Sequence, residues 1–364
     1  LPVAEIEGRG GSEFILIHGH YDSWHYGIGD NATGDGCLLE IARIFHKFRE
    51  QLKRNLRIAW WPGHSTGRYA GSTWYADNFA IDLEENCIAH LNCDSPGCRW
   101  ATAFEEVMCM SEVEEICFQV INGITGKEVG MARPIRAGDC SFNNMGITAL
   151  NMQLSGIPRK VREEKGLYAV GGCGGNVEWH SEDDRIEIAD RENLLRDIKI
   201  FSVLILRVLN SEIYPFDFRR TVEESIQIVE KYAEVCGGEF DLREATGGLS
   251  DLKGDCVTFY QRVTRVHDVE KINRILIRLG RILNPVIYVT GGRFHHDPAI
   301  PIPLFPSIAL IKKLPLYGRD ERRFLKNQLA RERNAILYAI RRAREELRKF
   351  LEEPLACHEN NALH

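Results

Sequence analysis

The chain has 364 residues, 44% of them hydrophobic and 27% charged, with a formal net charge of −6. That length exceeds the usual single domain and is enough to bury a large core, so two domains are expected. The negative balance argues against a nucleic-acid partner, which needs a concentrated basic surface, and no apolar run is long enough to span a bilayer.

Short apolar runs alternate with helical periods in the first part of the chain. Residues 3–6, 14–17, 56–60, 88–92 and 147–152 read as strands. Between them Leu38, Leu39, Ala42 and Phe45 recur at helical spacing, as do Leu194, Ile198, Phe201, Leu204 and Ile205. This predicts an α/β fold with a central, mostly parallel sheet flanked by helices. The run NSEIYPFDF at 210–218 breaks the last of these helices with a proline. Three apolar stripes follow: Val222, Ile226, Val229 and Ala233; Val269, Ile272, Leu276, Leu279 and Leu283; and Leu325, Leu329, Ile336, Ile340, Ala343, Leu347 and Leu351. They predict an α-helical domain. The expected division is therefore 1–213 (α/β), 214–353 (helical) and 354–364 (a tail). A proline-rich stretch at 294–308 interrupts the helices and is too long for a turn.

Eleven cysteines, an odd number without a Cys-x-x-Cys pair, fit a reducing compartment, so a cytoplasmic location is expected. Leu1 stands directly before a strand, as in a fragment or a processed form.

Chemistry begins in ILIHGHYDSWHYGIGDNATG, residues 15–34, where an apolar strand delivers His18, His20 and Asp22 to a glycine-rich loop ending in Asp30. Asp94 in HLNCDSPGC follows another strand, and His180 lies in VEWHSEDD. Imidazoles and carboxylates beyond the ends of parallel strands are ligands that zinc accepts. Two histidines, His20 and His180, with two aspartates, Asp30 and Asp94, suit a pair of zinc ions with one aspartate bridging.

These residues carry a resemblance to the zinc peptidase family that includes bacterial leucyl-type aminopeptidases, glutamate carboxypeptidase II and the transferrin receptor. His20-Tyr21-Asp22-Ser23-Trp24 is similar to its His-x-Asp-Ser motif, and Asp30 falls at the bridging aspartate. Asp94 matches the next ligand strand, and His180-Ser181 the final histidine. Pro215-Phe216-Asp217-Phe218 resembles the junction into the helical domain through which the larger members dimerise, and Phe305-Pro306-Ser307-Ile308 resembles a loop near the substrate cavity. The resemblance implies a zinc aminopeptidase-like α/β domain, a helical dimerisation-like domain and a homodimer. It places the chain near the carboxypeptidase branch, in which a protease-associated domain precedes the equivalent of Leu1. Asp22 is then expected to accept a hydrogen bond from the His20 ring, while Arg136, Asp139 and Trp179 fall where the family binds substrate.

The pattern breaks after the third expected strand. The family has two adjacent glutamates there, one a general base and one a ligand of the second ion. This chain reads Pro62-Gly63-His64-Ser65-Thr66-Gly67-Arg68, with neither carboxylate, before Gly71-Ser72-Thr73 matches again. Three readings follow. His64 replaces the missing ligand or acts as the base; or one zinc ion remains on His20, Asp30 and Asp94; or catalysis has been lost and a dimeric binding protein remains. The expected function is zinc-dependent hydrolysis of an amide bond in small peptides or acylated amino acids, with one or two ions; a non-peptide amidase or acyltransferase on the same fold is the other enzymatic alternative. Arg68 reads as a surface ion pair, His295 and His296 as surface histidines, and Glu182, Asp183 and Asp184 as a solvated helix start.

Overall fold

The computed structural model describes residues 1–134, 140–171, 173–266 and 268–353. The first part runs β1 (Val3–Ile6), β2 (Phe14–His20), α1 (Thr33–Lys47), β3 (Asn55–Trp61), α2 (Ala70–Asn78), α3 (Ala80–Asn86) and β4 (Cys87–Asn92). It continues through β5 (Phe104–Met108), α4 (Glu114–Thr125), β6 (Val129–Ala132), β7 (Thr148–Asn151), α5 (Arg159–Lys165) and α6 (Arg191–Asn210). Four long helices follow: α7 (Phe218–Val235), α8 (Arg243–Val263), α9 (Val269–Tyr288) and α10 (Arg319–Leu351). No helix among the described residues is long and apolar enough to cross a membrane.

The main sheet has the order β1-β3-β2-β4-β7, parallel except for the antiparallel edge strand β1. Its centre, β2, is buried over its whole length, as a parallel strand covered on both faces requires. Alternation sorts its side chains. Ile15 and Ile17 join Leu38 and Ile41 of α1 and Phe201 and Leu204 of α6, while Phe14 and Leu16 join Trp61, Tyr75 and Phe142 on the other face. All five expected strands are present, and the largest change is at β2, which continues through the polar His18-Gly19-His20. It does so because both neighbours run past it: His18 lies opposite Ala59 and Asn92, and His20 opposite Trp61. The strands β5 and β6, a separate parallel pair, were not expected, nor was α8.

Aspartates start three of the long helices. Asp190, Asp217 and Asp268 each accept a backbone N–H from the first turn that follows, of Asn193, Arg219 and Lys271. Helices α7 to α10 form a layer whose buried residues, Val222, Leu252, Leu276 and Leu347 among them, belong to the same continuous cluster as Ile15 and Leu204. Two buried charges pin this layer to the sheet. Arg281 of α9 donates to the carbonyls of Leu83, Glu84, Gly146 and Cys87, and burial draws its pKa down to about 10. Glu112 accepts from Thr148 at 2.8 Å, Thr221 at 3.1 Å and Asn284 at 2.9 Å, which joins β7, α7 and α9.

Candidate metal centre

The three inner strands of the sheet end at one cleft. β2 stops on His20, β4 runs on into Asp94, and β3 runs into the loop 62–69 that carries His64. His20 is fully buried, and its Nδ1 lies 2.8 Å from the backbone oxygen of Asp22. A carbonyl only accepts, so Nδ1 carries a proton and Nε2 is aimed at the carboxylates. It stands 3.1 Å from Asp30 Oδ1 and 3.7 Å from Asp94 Oδ2. The other oxygen of Asp30 is 3.0 Å from His180 Nε2.

A neutral His20 would point a lone pair at two carboxylates, which is repulsive unless a cation lies between them. A proton and a metal ion both meet that need, and they compete for the same lone pair. Burial disfavours the His20 imidazolium, but hydrogen bonds with Asp30 and Asp94 outweigh it, so its pKa is raised well above the usual value. Asp30 answers in reverse: burial pushes its carboxyl up, and the bonds with His180 and His20 overcome this and hold it below the usual carboxylate range. A buried set of imidazoles and carboxylates that calls for positive charge fits zinc.

His64 belongs to this group. Its ring stacks on that of His20 with centroids 3.9 Å apart and a 4° tilt. His20, His64 and Asp94 each offer one ligand atom, and these lie within 4.8 Å of one another, the single such set among the described residues. Tyr69, buried below the loop, meets the His64 ring edge-on at 4.8 Å.

Asp22 accepts the expected hydrogen bond from the His20 ring, but through its backbone. Its carbonyl receives the His20 N–H, and its carboxylate turns to the neighbouring loop, where Oδ1 accepts His64 N at 2.9 Å and Oδ2 accepts Ser65 N at 3.0 Å. Two successive amides form a fork that matches the two oxygens. The loop 62–69 is thereby fixed at His64 and Ser65; among the described residues Ser65 Oγ is buried with no hydrogen bond, and Thr66 is exposed.

Two further residues, neither expected at the site from the sequence, hold the candidate ligands in place. Asn31 donates to the carbonyls of His20 and Cys93 at 3.2 and 2.9 Å and accepts Ser95 N at 2.9 Å, tying the ends of β2 and β4 together. Asp184 accepts Gly29 N at 2.7 Å and Asp30 N at 3.0 Å, which clamps the Asp30 loop to the His180 loop. It is buried and lies in a turn, so the solvated helix start expected at 182–184 is corrected: α6 begins later, at Arg191, behind its own Asp190 cap.

His180 has a left-handed backbone (φ 62) and is part exposed at the cleft mouth. Trp179 stacks on it at 3.7 Å and also packs against Cys98, Ala101 and Ile188. Arg68, expected in a surface ion pair, instead donates to the carbonyl of Ala299 at 3.1 Å, and His296 pairs with Asp77 at 2.8 Å. Arg136 and Asp139 lie outside the described residues.

The chain is 22% identical over 273 residues to an inactive zinc metalloprotease of Schizosaccharomyces pombe, covering 72% of this chain and 33% of that protein. It is 20% identical over 299 residues to a probable glutamate carboxypeptidase of Zea mays, covering 77% of this chain and 40% of that protein. The chain thus spans well under half the length of these curated relatives. Among solved structures, a zinc aminopeptidase from Bacillus subtilis aligns with a TM-score of 0.47 and 18% identity over 58% of this chain and 50% of that one. The model of Peptidase family M28 matches residues 3–204, more than half of the chain, and the chain belongs to that family.

Proposed function

We propose that the chain is a zinc-dependent hydrolase of amide bonds in small peptides or acylated amino acids. The observation that carries this reading is Asp30, a buried carboxylate 3.1 Å from His20 Nε2 and 3.0 Å from His180 Nε2. Buried charges are retained where they are paired or hold a metal. A bound zinc ion supplies Lewis acidity to an amide carbonyl and makes water a nucleophile near neutral pH. The chain's own residues prepare for it. The Asp22 carbonyl keeps the His20 proton on Nδ1, Asn31 and Asp184 hold the loops of Asp94 and Asp30, and His180 with Trp179 borders the opening. Without the glutamate base, turnover is expected to fall roughly 10²- to 10⁴-fold below that of a site that keeps it.

The test is metal analysis of protein purified without chelator, followed by assay on a panel of aminoacyl, N-acyl and dipeptide amides. Bound zinc with chelator-sensitive turnover that Asp30→Ala abolishes is the expected result. Protein that takes up no zinc would sink the reading. A second reading, a metal-holding protein without turnover, is favoured by the absence of a carboxylate from His64-Ser65-Thr66, where the glutamate pair is expected at either Ser65 and Thr66 or His64 and Ser65, and by one relative being named inactive. Zinc bound with no hydrolysis across the panel decides for it.

A further inference from the structure

The two halves of the centre are unequally equipped. On the His20 side, Asp94 and His64 bring ligand atoms within 4.8 Å of that ring's own, and Asp30 Oδ1 is 3.1 Å from Nε2. On the other side, among the described residues, Asp30 Oδ2 meets His180 at 3.0 Å. The rest of that neighbourhood is already committed. Glu178, two residues before His180, is bound to Arg99 at 2.8 Å, and Asp184 spends both oxygens on backbone amides. The loop 62–69 holds no carboxylate, and its Ser65 is buried and its Thr66 exposed. Zinc sites use three protein ligands when catalytic and four when structural, so among the described residues the His20 side reaches that number and the His180 side does not.

The placement of His64 sharpens the asymmetry. It lies flat on His20 with centroids 3.9 Å apart, and the one set of candidate ligand atoms among the described residues joins it to His20 and Asp94 and does not include His180. Its backbone is held there from both ends: Asp22 grips the amides of His64 and Ser65, and Tyr69 N donates to the His64 carbonyl at 3.2 Å. A tetrahedral zinc ion with bonds of about 2.0–2.2 Å keeps its ligand atoms about 3.3–3.6 Å apart, so a modest turn of the half-buried His64 ring closes the set.

We propose that the chain holds one metal ion, on the His20 side, with His64 as a ligand alongside His20 and Asp94, and that His180 serves Asp30 as a hydrogen-bond partner instead of binding a second ion. The inference rests on the metal-binding part of the function proposed above and changes its stoichiometry and its ligand set. His64 is then a ligand and not a free base, because a coordinated nitrogen has no lone pair for a proton.

Chelator-treated protein titrated with Zn²⁺ against a chromophoric competitor should bind one equivalent tightly. His64→Ala should weaken that binding by at least about 100-fold, since even losing an outer hydrogen-bond partner of a ligand costs 10- to 100-fold. His64→Cys, which keeps a zinc ligand, should restore most of it, and His180→Ala should cost no more than the roughly 10- to 100-fold of an outer hydrogen-bond partner. With Co²⁺ as the probe, the visible absorption of the wild type should shift in His64→Ala and stay in place in His180→Ala. Unfolding midpoints of the metal-free variants show that each is folded. Two equivalents of similar affinity, or a wild-type affinity in His64→Ala, overturn this inference and leave the hydrolase reading standing; no binding by the wild type overturns both.

Discussion

The cleft and the joint between sheet and helical layer both bury charge, and they neutralise it in opposite ways. At the joint the partners are neutral: Arg281 gives its N–H groups to four backbone carbonyls, and Glu112 accepts from two threonines and an asparagine. Nothing further is called for, and such a network specifies a structure. At the cleft, Asp30 and Asp94 face the Nε2 atom of His20, whose charge depends on what is bound there. A polar network that the chain completes by itself holds a fold together, whereas one that it leaves short of positive charge selects a ligand.

Three substitutions test that contrast. The largest effect is expected at the joint. Arg281→Met strands the carbonyls of Leu83, Glu84, Gly146 and Cys87 in an apolar setting, and urea unfolding at neutral pH should show a loss of about 3–5 kcal/mol. A loss under about 1 kcal/mol would mean that the joint is not closed by this residue. Next comes Asp184→Ala, which frees the amides of Gly29 and Asp30 beside the ligands. Metal affinity should drop about 10- to 100-fold, the range for groups that orient a ligand, with a smaller change in unfolding free energy. Unchanged affinity would remove Asp184 from the cleft's scaffold.

The smallest effect is expected for Glu112→Gln, within about 1 kcal/mol at neutral pH, because the amide keeps the shape and most of the hydrogen bonds. Its signature lies in pH. Burial raises the Glu112 carboxyl above the ordinary glutamate value. The folded state therefore holds that proton more tightly than the unfolded state does. The associated stability is complete below about pH 4.3, the unfolded value, and is lost as pH climbs from there through the raised one. Wild type should lose stability relative to Glu112→Gln on raising the pH above about 4.3; a difference that stays flat from pH 4 to 8 would contradict a buried carboxyl held by neutral donors.

Much of the fold was legible because burial leaves a period. The runs at β2, β3 and β4 and the stripes of α1, α6, α7, α9 and α10 repeat at strand or helix spacing. Helix α8 was not legible, since Gly247, Gly248 and Gly254 dilute its apolar positions Ala245, Leu249, Leu252, Cys256 and Phe259. In the site, His20, Asp30, Asp94 and His180 stood out as metal ligands at strand ends and in loops, and the structure brings Asp30 into contact with both histidines and Asp94 near His20. What the sequence could not carry was which atom of a residue acts. Asp22 serves through a carbonyl on one side and a carboxylate on the other, a division that letters do not record. Asp184 was hidden for a simpler reason: an acidic run in Ser181-Glu182-Asp183-Asp184 reads the same whether water or backbone amides satisfy it.

Arg281 also determines what kind of folding unit the chain is. Its guanidinium leaves α9 and occupies a ring of carbonyls belonging to the sheet part, so melting either part uncovers polar groups of the other. The two parts should therefore unfold in a single cooperative transition. A version ending before the helical layer would carry, at the foot of β4, an apolar recess lined by carbonyls with nothing to receive, and it should refold poorly even with every metal ligand in place.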